Sequence, residues 1–172
     1  VLTLYDADGN EVAYVDDYRF HPDPVMFYEV EREGEYLLEI RDAVYRGRED
    51  FVYRIAIGET PFITAIFPLG GRAGSKTSAA IEGWNLPQGR LTLDTRRGEG
   101  GGIRHARAAG DRGVSNAVSY AIDTLPELKE AEPNDAPEAA AFVEMPKIVN
   151  GGIDAPGDVD WFRIEEISRA KI

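Results

Sequence analysis

The feature that most constrains this chain is a period-two alternation of apolar and polar residues. It is clearest in the segments 36–41 and 51–57, and such alternation is typical of half-buried antiparallel strands. Turn residues separate the apolar runs. Asp8-Gly9, between the runs 2–5 and 12–15, predicts a β-hairpin. Many short strands with regular turns predict an all-β fold built from β-sandwich modules.

Changes in composition divide the chain into the segments 1–58, 59–124 and 125–172. The middle segment is richer in Gly and Ala, and we expect it to fold as a small sandwich that buries Trp84. It includes a glycine-rich loop at 98–102. Residues 125–138 are rich in Glu, Asp and Pro and are predicted to be a linker. Strands are expected near 63–67, 77–82, 91–94, 103–108, 118–122 and 159–164, and one short helix at 137–142.

Charge and composition exclude several classes of function. The net charge of -12 argues against nucleic acid as a partner, because phosphate binding requires a basic surface. Without cysteine the 172-residue chain can form neither disulfides nor zinc–thiolate sites. No apolar run is long enough to predict membrane insertion. The strand pattern starts at Val1 and the sequence stops without a terminator, so we expect a piece of a longer protein with any export signal upstream.

The acidic run 130–135 is the strongest candidate for a metal site. In an extended chain, Glu130, Glu132 and Asn134 project to the same side, with Asp135 beside them. Asp158 and Asp160 repeat the two-residue spacing, and Asp160 shares the side of its strand that carries the apolar alternation. A carboxylate at the rim of a core requires a partner, and a cation would serve. In the alternative interpretation, the run is a solvated linker and the two aspartates cap turns.

Two ends of the chain resemble halves of one family of domains. Residues 1–57 resemble the second half of a bacterial pre-peptidase C-terminal (PPC) domain, through the Leu4–Asn10 motif LYDADGN and the motif GEYLLEI at 34–40. Residues 131–164 resemble its first half, through EPND at 132–135, GGI at 151–153 and GDVDWFRI at 157–164. Between them, PFITAIFP at 61–68 and IEGWNL at 81–86 resemble an IPT/TIG-like immunoglobulin domain, an arrangement similar to large secreted planctomycete-type proteins.

The resemblance implies jelly-roll-like sandwich halves flanking an Ig-like sandwich, on a secreted or cell-surface bacterial protein. PPC domains are often appended to peptidases, and their roles are in export, targeting or adhesion. In similar collagen-binding modules, an acidic run supplies ligands for calcium. The resemblance therefore implies calcium as a cofactor, held by Glu130, Glu132, Asn134, Asp135, Asp158 and Asp160.

Catalysis is not expected. His21 and His105 could be combined on paper with Ser78, Ser115 or Ser119, but no sequence resembles a nucleophile elbow. The run Asp6–Asn10 begins like an EF-hand loop, yet its twelfth position holds Asp17 instead of Glu, so a hairpin turn is favoured.

We therefore expect a non-catalytic extracellular scaffold or adhesion segment whose partners are the neighbouring modules of a parent protein. The alternative is an accessory module of a secreted peptidase or other hydrolase that binds collagen-like protein or polysaccharide. The two PPC-like halves are complementary, which predicts self-association through them, within one chain or between chains.

Overall fold

The computed structural model describes residues 1–96, 98 and 101–165. The chain divides into two compact units, Val1–Ala56 and Ile57–Ile172. The described residues form fifteen β-strands and no α-helix, which confirms the predicted all-β class. Among them, no helix is of the length and apolarity that crossing a bilayer requires. Seven residues of the predicted segment 125–172 and three in or beside the predicted loop at 98–102 lie outside the described residues.

The first unit contains one three-stranded antiparallel sheet in the order β2-β1-β3. The predicted hairpin at Asp8-Gly9 joins β1 to β2, and this prediction is confirmed. The carboxylate of Asp6 accepts hydrogen bonds from the backbone N–H groups of Asp8 (3.0 Å) and Asn10 (2.8 Å), and Gly9 takes the left-handed φ of 83° that the turn requires. The strands are β1 (Leu2–Tyr5), β2 (Glu11–Val15) and β3 (Leu37–Ile40).

The strand expected at 51–57 is absent, and that prediction was wrong. Its apolar residues are exposed, with Tyr53 73% and Ile57 75% accessible. Among the described residues no strand pairs with this segment. A period-two pattern provides two faces, but a strand also requires a hydrogen-bonding neighbour, which this segment lacks.

The segment after Ala56 forms two three-stranded sheets, in the orders β4-β6-β7 and β5-β11-β8, and a two-stranded ribbon, β9-β10. Strand β11 pairs parallel with β5 and antiparallel with β8. The strands are β4 (Phe62–Phe67), β5 (Gly70–Arg72), β6 (Thr77–Trp84), β7 (Arg90–Leu93), β8 (Gly102–Ala106), β9 (Ala109–Gly110), β10 (Gly113–Val114) and β11 (Val118–Asp123).

Alternate residues of these two sheets form the core between them. Ile63, Ile81 and Leu91 make one buried cluster, and Leu93 joins Tyr120 in a second. The five strands expected between 63 and 122 are confirmed. Trp84, however, lies only half-buried at the end of β6, where it stacks on Phe62 with ring centroids 5.5 Å apart. The core between the sheets is filled by aliphatic side chains and Tyr120, so Trp84 covers its edge.

The last four strands form two interleaved parallel pairs, β12-β14 and β13-β15. The prediction of a helix at 137–142 was wrong. A single 3₁₀ turn covers Pro137–Ala139, after which Ala140 leaves helical geometry (ψ 121°) and β13 begins. Pairing with β15 outweighs the helix propensity of the alanines. The strands are β12 (Glu127–Lys129), β13 (Ala141–Val143), β14 (Ile148–Asn150) and β15 (Phe162–Ile164).

Candidate metal centre

Three carboxylates from distant parts of the sequence meet beside the β12-β14 pair. Glu130 directly follows β12, and its N–H continues the ladder by donating to the carbonyl of Asn150 at 2.9 Å. Asp160 approaches just before β15. Glu130, Glu132 and Asp160 each place one carboxylate oxygen within 4.8 Å of the others. The interleaved strand order thus gathers into one cluster residues that are thirty positions apart.

Backbone groups hold this cluster in place. The N–H of Gly152 donates a short hydrogen bond to Glu130, and the N–H of Asn134 donates to Glu132 Oε2 at 2.9 Å. The carbonyl of Asn134 accepts from the N–H of Trp161 at 3.0 Å, and Trp161 is the residue after Asp160. Asn134 therefore ties the acidic run to the segment that carries Asp160.

Several polar atoms at this place are buried without a hydrogen-bonding partner among the described residues. They are Glu130 Oε2, Asp160 Oδ1 and both side-chain atoms of Asn134. Asn134 is 0% exposed. An unsatisfied buried amide or carboxylate is destabilising by about 1–3 kcal/mol, more when charged, and such groups are rare unless a ligand or water completes them. The cluster therefore has unused oxygen ligands directed away from solvent.

The electrostatics of the cluster are repulsive. Burial raises the pKa of Glu130 above its ordinary value, and the neighbouring Asp160 and Glu132 raise it further, against the hydrogen bond from Gly152. A bound cation would offset both effects. Its charge would replace the hydration that Glu130 loses on burial, and it would neutralise the like charges of the neighbouring carboxylates.

The structure brings together three of the six residues that the resemblance implied. Glu130, Glu132 and Asp160 form the carboxylate cluster. Asn134 is buried and contacts the cluster through its backbone N–H, which donates to Glu132. Asp135 is exposed and lies outside the cluster. Asp158 also lies outside, because its Oδ2 accepts the N–H of Asp154 at 2.5 Å and closes the turn before β15.

From the sequence, Gly151 and Gly152 were marked only as part of the PPC-like motif, yet both shape this site. A Cβ atom on Gly151 would overlap the carboxylate of Glu130, and Gly152 donates its N–H to that same group. The adjacent glycine pair, opposite an acidic run, was the available signal for such a close approach.

Among the described residues, the serines and histidines considered from the sequence do not form a catalytic triad. Ser119 Oγ lies 3.2 Å from His105 Nδ1 on the paired strands β11 and β8, with both side chains exposed. Ser115 is buried and accepts the N–H of Ala108, while Ser78 accepts from Arg90. His21 closes a small turn with Tyr18 through two backbone hydrogen bonds of 3.0 Å.

Comparison with family models, with curated proteins and with solved structures found no match for this chain. The PPC and IPT/TIG resemblance therefore stays a prediction from the motifs.

Proposed function

We propose that this chain is a non-catalytic β-sandwich segment of a larger secreted or cell-surface bacterial protein, acting as a scaffold or adhesion module stabilised by calcium. The observation that carries the proposal is the convergence of Glu130, Glu132 and Asp160 around unpartnered buried oxygens, next to the fully buried Asn134. Neighbouring modules of the parent protein are its expected partners.

The donor set favours calcium among the common metals. The three carboxylates are hard ligands, and calcium accepts six to eight such oxygens in irregular geometry. Zinc in structural sites takes nitrogen and sulfur ligands, of which this cluster offers neither. Magnesium demands near-ideal octahedral geometry and retains several waters, which suits a partly buried site less well. Water would complete the calcium coordination.

Terbium luminescence tests this proposal directly. Terbium replaces calcium at oxygen sites, and Trp161, next to Asp160, is placed to sensitise its emission. We expect a sensitised signal that calcium displaces and magnesium displaces only at much higher concentration. The variant Asp160→Asn should lose the signal. Trp161→Phe is the matched control, since it should lose sensitised emission but keep calcium binding by calorimetry. The proposal would be refuted if calorimetry detected no binding of calcium to the parent chain.

A second candidate is an accessory module that binds collagen-like protein or polysaccharide. The observation that favours it is the exposure of aromatic rings in the first unit, including Tyr45 (76%), Tyr53 (73%) and Phe20 (102%). Exposed aromatics are enriched in recognition surfaces. Binding of collagen-like peptide or polysaccharide that is reduced by Tyr45→Ala and Tyr53→Ala would support this candidate over a pure scaffold.

A further inference from the structure

A cavity of about 210 Å³ in the first unit is lined by the β1–β2 hairpin and by the segment 28–36. Tyr28 and Tyr36 form its aromatic side, and both are half-buried. Their ring centroids lie 5.8 Å apart, with the ring planes tilted by 58°. The hydroxyl of Tyr36 donates to the carbonyl of Arg32 at 2.9 Å, which restrains that ring. The cavity therefore has a tyrosine pair of defined geometry.

The charge around this tyrosine pair is negative and is not neutralised by ion pairing. Five carboxylates and one guanidinium line the cavity, an excess of four negative charges. In the described part of the chain, no salt bridge joins any of these six side chains to another residue. The cavity therefore favours a cationic ligand. The six side chains are those of Asp6, Asp8, Glu31, Glu33, Glu35 and Arg32.

The lining suits an organic cation better than a metal ion. Asp6 Oδ1 already accepts the backbone N–H groups of Asp8 and Asn10, and Asn10 Nδ2 donates to Asp6 Oδ2 at 3.0 Å. No three of the described carboxylates in this cavity converge as those of the candidate metal centre do. A metal ion requires several converging oxygen ligands, whereas an organic ammonium ion requires a negative field and an aromatic face.

The negative field extends to the aromatic side of the cavity. Burial raises the pKa of Tyr28 above its ordinary value, and Tyr36, Glu31 and Asp6 raise it further. An environment that disfavours a negative charge on this ring favours a positive charge beside it.

We propose that this cavity binds an alkylammonium ion, which is either a free amine or the side chain of a lysine in a partner protein. The ammonium group would lie between the tyrosine pair and the surrounding carboxylates, where ring faces and negative charge both attract it. The alkyl chain would pack on Val12 and on the ring of Tyr28, as the stem of a lysine does on apolar surface. The site belongs to the first unit and does not depend on calcium binding in the second.

Saturation-transfer NMR with the full chain tests the inference. The charged probes are n-butylammonium and Nα-acetyl-lysine N-methylamide at pH 7, and their neutral counterparts are n-butanol and the Nε-acetylated lysine derivative. We expect transfer to the methylene protons of the charged probes only, and a decrease of this signal as the salt concentration rises. Binding of both charged probes would assign the site to lysine side chains, and binding of n-butylammonium alone would assign it to free amines. Equal transfer to charged and neutral probes, or transfer to none, would overturn the inference.

Two pairs of variants locate the binding. Tyr28→Ala should weaken n-butylammonium binding by about two- to fivefold, since it removes one ring of the pair. Tyr14→Ala removes a half-exposed ring outside the cavity and should leave binding unchanged. Glu31→Gln should weaken binding by about twofold, whereas Glu29→Gln, an exposed carboxylate outside the lining, should not.

The glutamate pair keeps the test decisive if Tyr28→Ala does not fold, because both glutamates are exposed. Equal weakening by Glu29→Gln and Glu31→Gln would show attraction to the acidic chain as a whole and would overturn the assignment of the cavity.

Discussion

Glu130→Gln should change the thermal midpoint in opposite directions with and without calcium. The substitution keeps the size of the side chain and an oxygen to accept the Gly152 N–H. It removes one charge from a cluster whose three oxygens lie within 4.8 Å of one another. The variant therefore loses repulsion in the empty site and loses a ligand in the filled one.

The magnitudes follow from Coulomb's law and from binding linkage. Two charges 4.8 Å apart, the upper limit of the separations in the cluster, repel by about 0.9 kcal/mol in water, and this is a lower bound because Glu130 and Asp160 are partly buried. Removing two of the three repulsions should stabilise the calcium-free fold by about 1–2 kcal/mol. Calcium at a hundred times its dissociation constant should stabilise the parent by about 2.7 kcal/mol. At 2–4 °C per kcal/mol, we expect a rise of about 2–8 °C in chelator for the variant, and about 5–11 °C from calcium for the parent.

Tryptophan fluorescence is the suitable probe, because Trp84 and Trp161 both belong to the second unit. Melts of both proteins in chelator and in calcium give four midpoints. Glu138 is an exposed carboxylate outside the cluster, so Glu138→Gln is the matched control. It should leave the thermal midpoint unchanged in chelator and in calcium. A variant less stable than the parent in both buffers would refute the reasoning, since Glu130 would then be only a structural acceptor for Gly152.

Three further predictions concern the sandwich itself. Ile63→Ala should lower the free energy of unfolding in urea by about 2–5 kcal/mol, while Ile103→Ala at an exposed position (66%) should change it by under about 0.5 kcal/mol. Gly83→Ala should be destabilising by about 3 kcal/mol or more, because φ is 151° and a Cβ would overlap the Phe62 carbonyl, whereas Gly89→Ala has open space and should be nearly neutral. The hydrogen bond from Arg96 holds the pKa of Asp94 below its ordinary 3.8, so this carboxylate stabilises the fold above that pH and its contribution is lost as the pH falls. Asp94→Asn should therefore lower the thermal midpoint more at pH 7 than at pH 2. An equal decrease at both pH values would contradict this prediction.

The strands of the middle sandwich could be predicted because each one buries alternate residues against an opposing sheet. Ala79 and Ile81 on β6, and Tyr120 and Ile122 on β11, show this pattern in sequence and in burial. The segment 51–57 has the same alternation and forms no strand. The difference is the presence of a hydrogen-bonding neighbour, which is a long-range property that local periodicity does not encode.

The candidate site was predictable only in part, because local spacing indicates some of its residues but not the long-range strand pairing that brings them together. The spacing of Glu130 and Glu132 placed two ligands on one side of an extended chain, and Asp160 was marked by its position beside an apolar alternation. Asp158 has the same residue type and a similar position, yet its carboxylate caps the turn at Asp154. Which of two nearby aspartates meets the acidic run depends on the interleaved strand pairs, and no local pattern specifies those.

The interleaving of β12-β14 with β13-β15 also sets an order of events during synthesis. Glu130 leaves the ribosome about thirty residues before Asp160, an interval of about 2–6 s at 5–20 residues per second. Strand β12 gains its partner β14 before Asp160 is made, whereas β13 gains its partner β15 only just after Asp160. The carboxylate cluster of Glu130, Glu132 and Asp160 is therefore completed only after the two sheets of the middle sandwich have been fully synthesised.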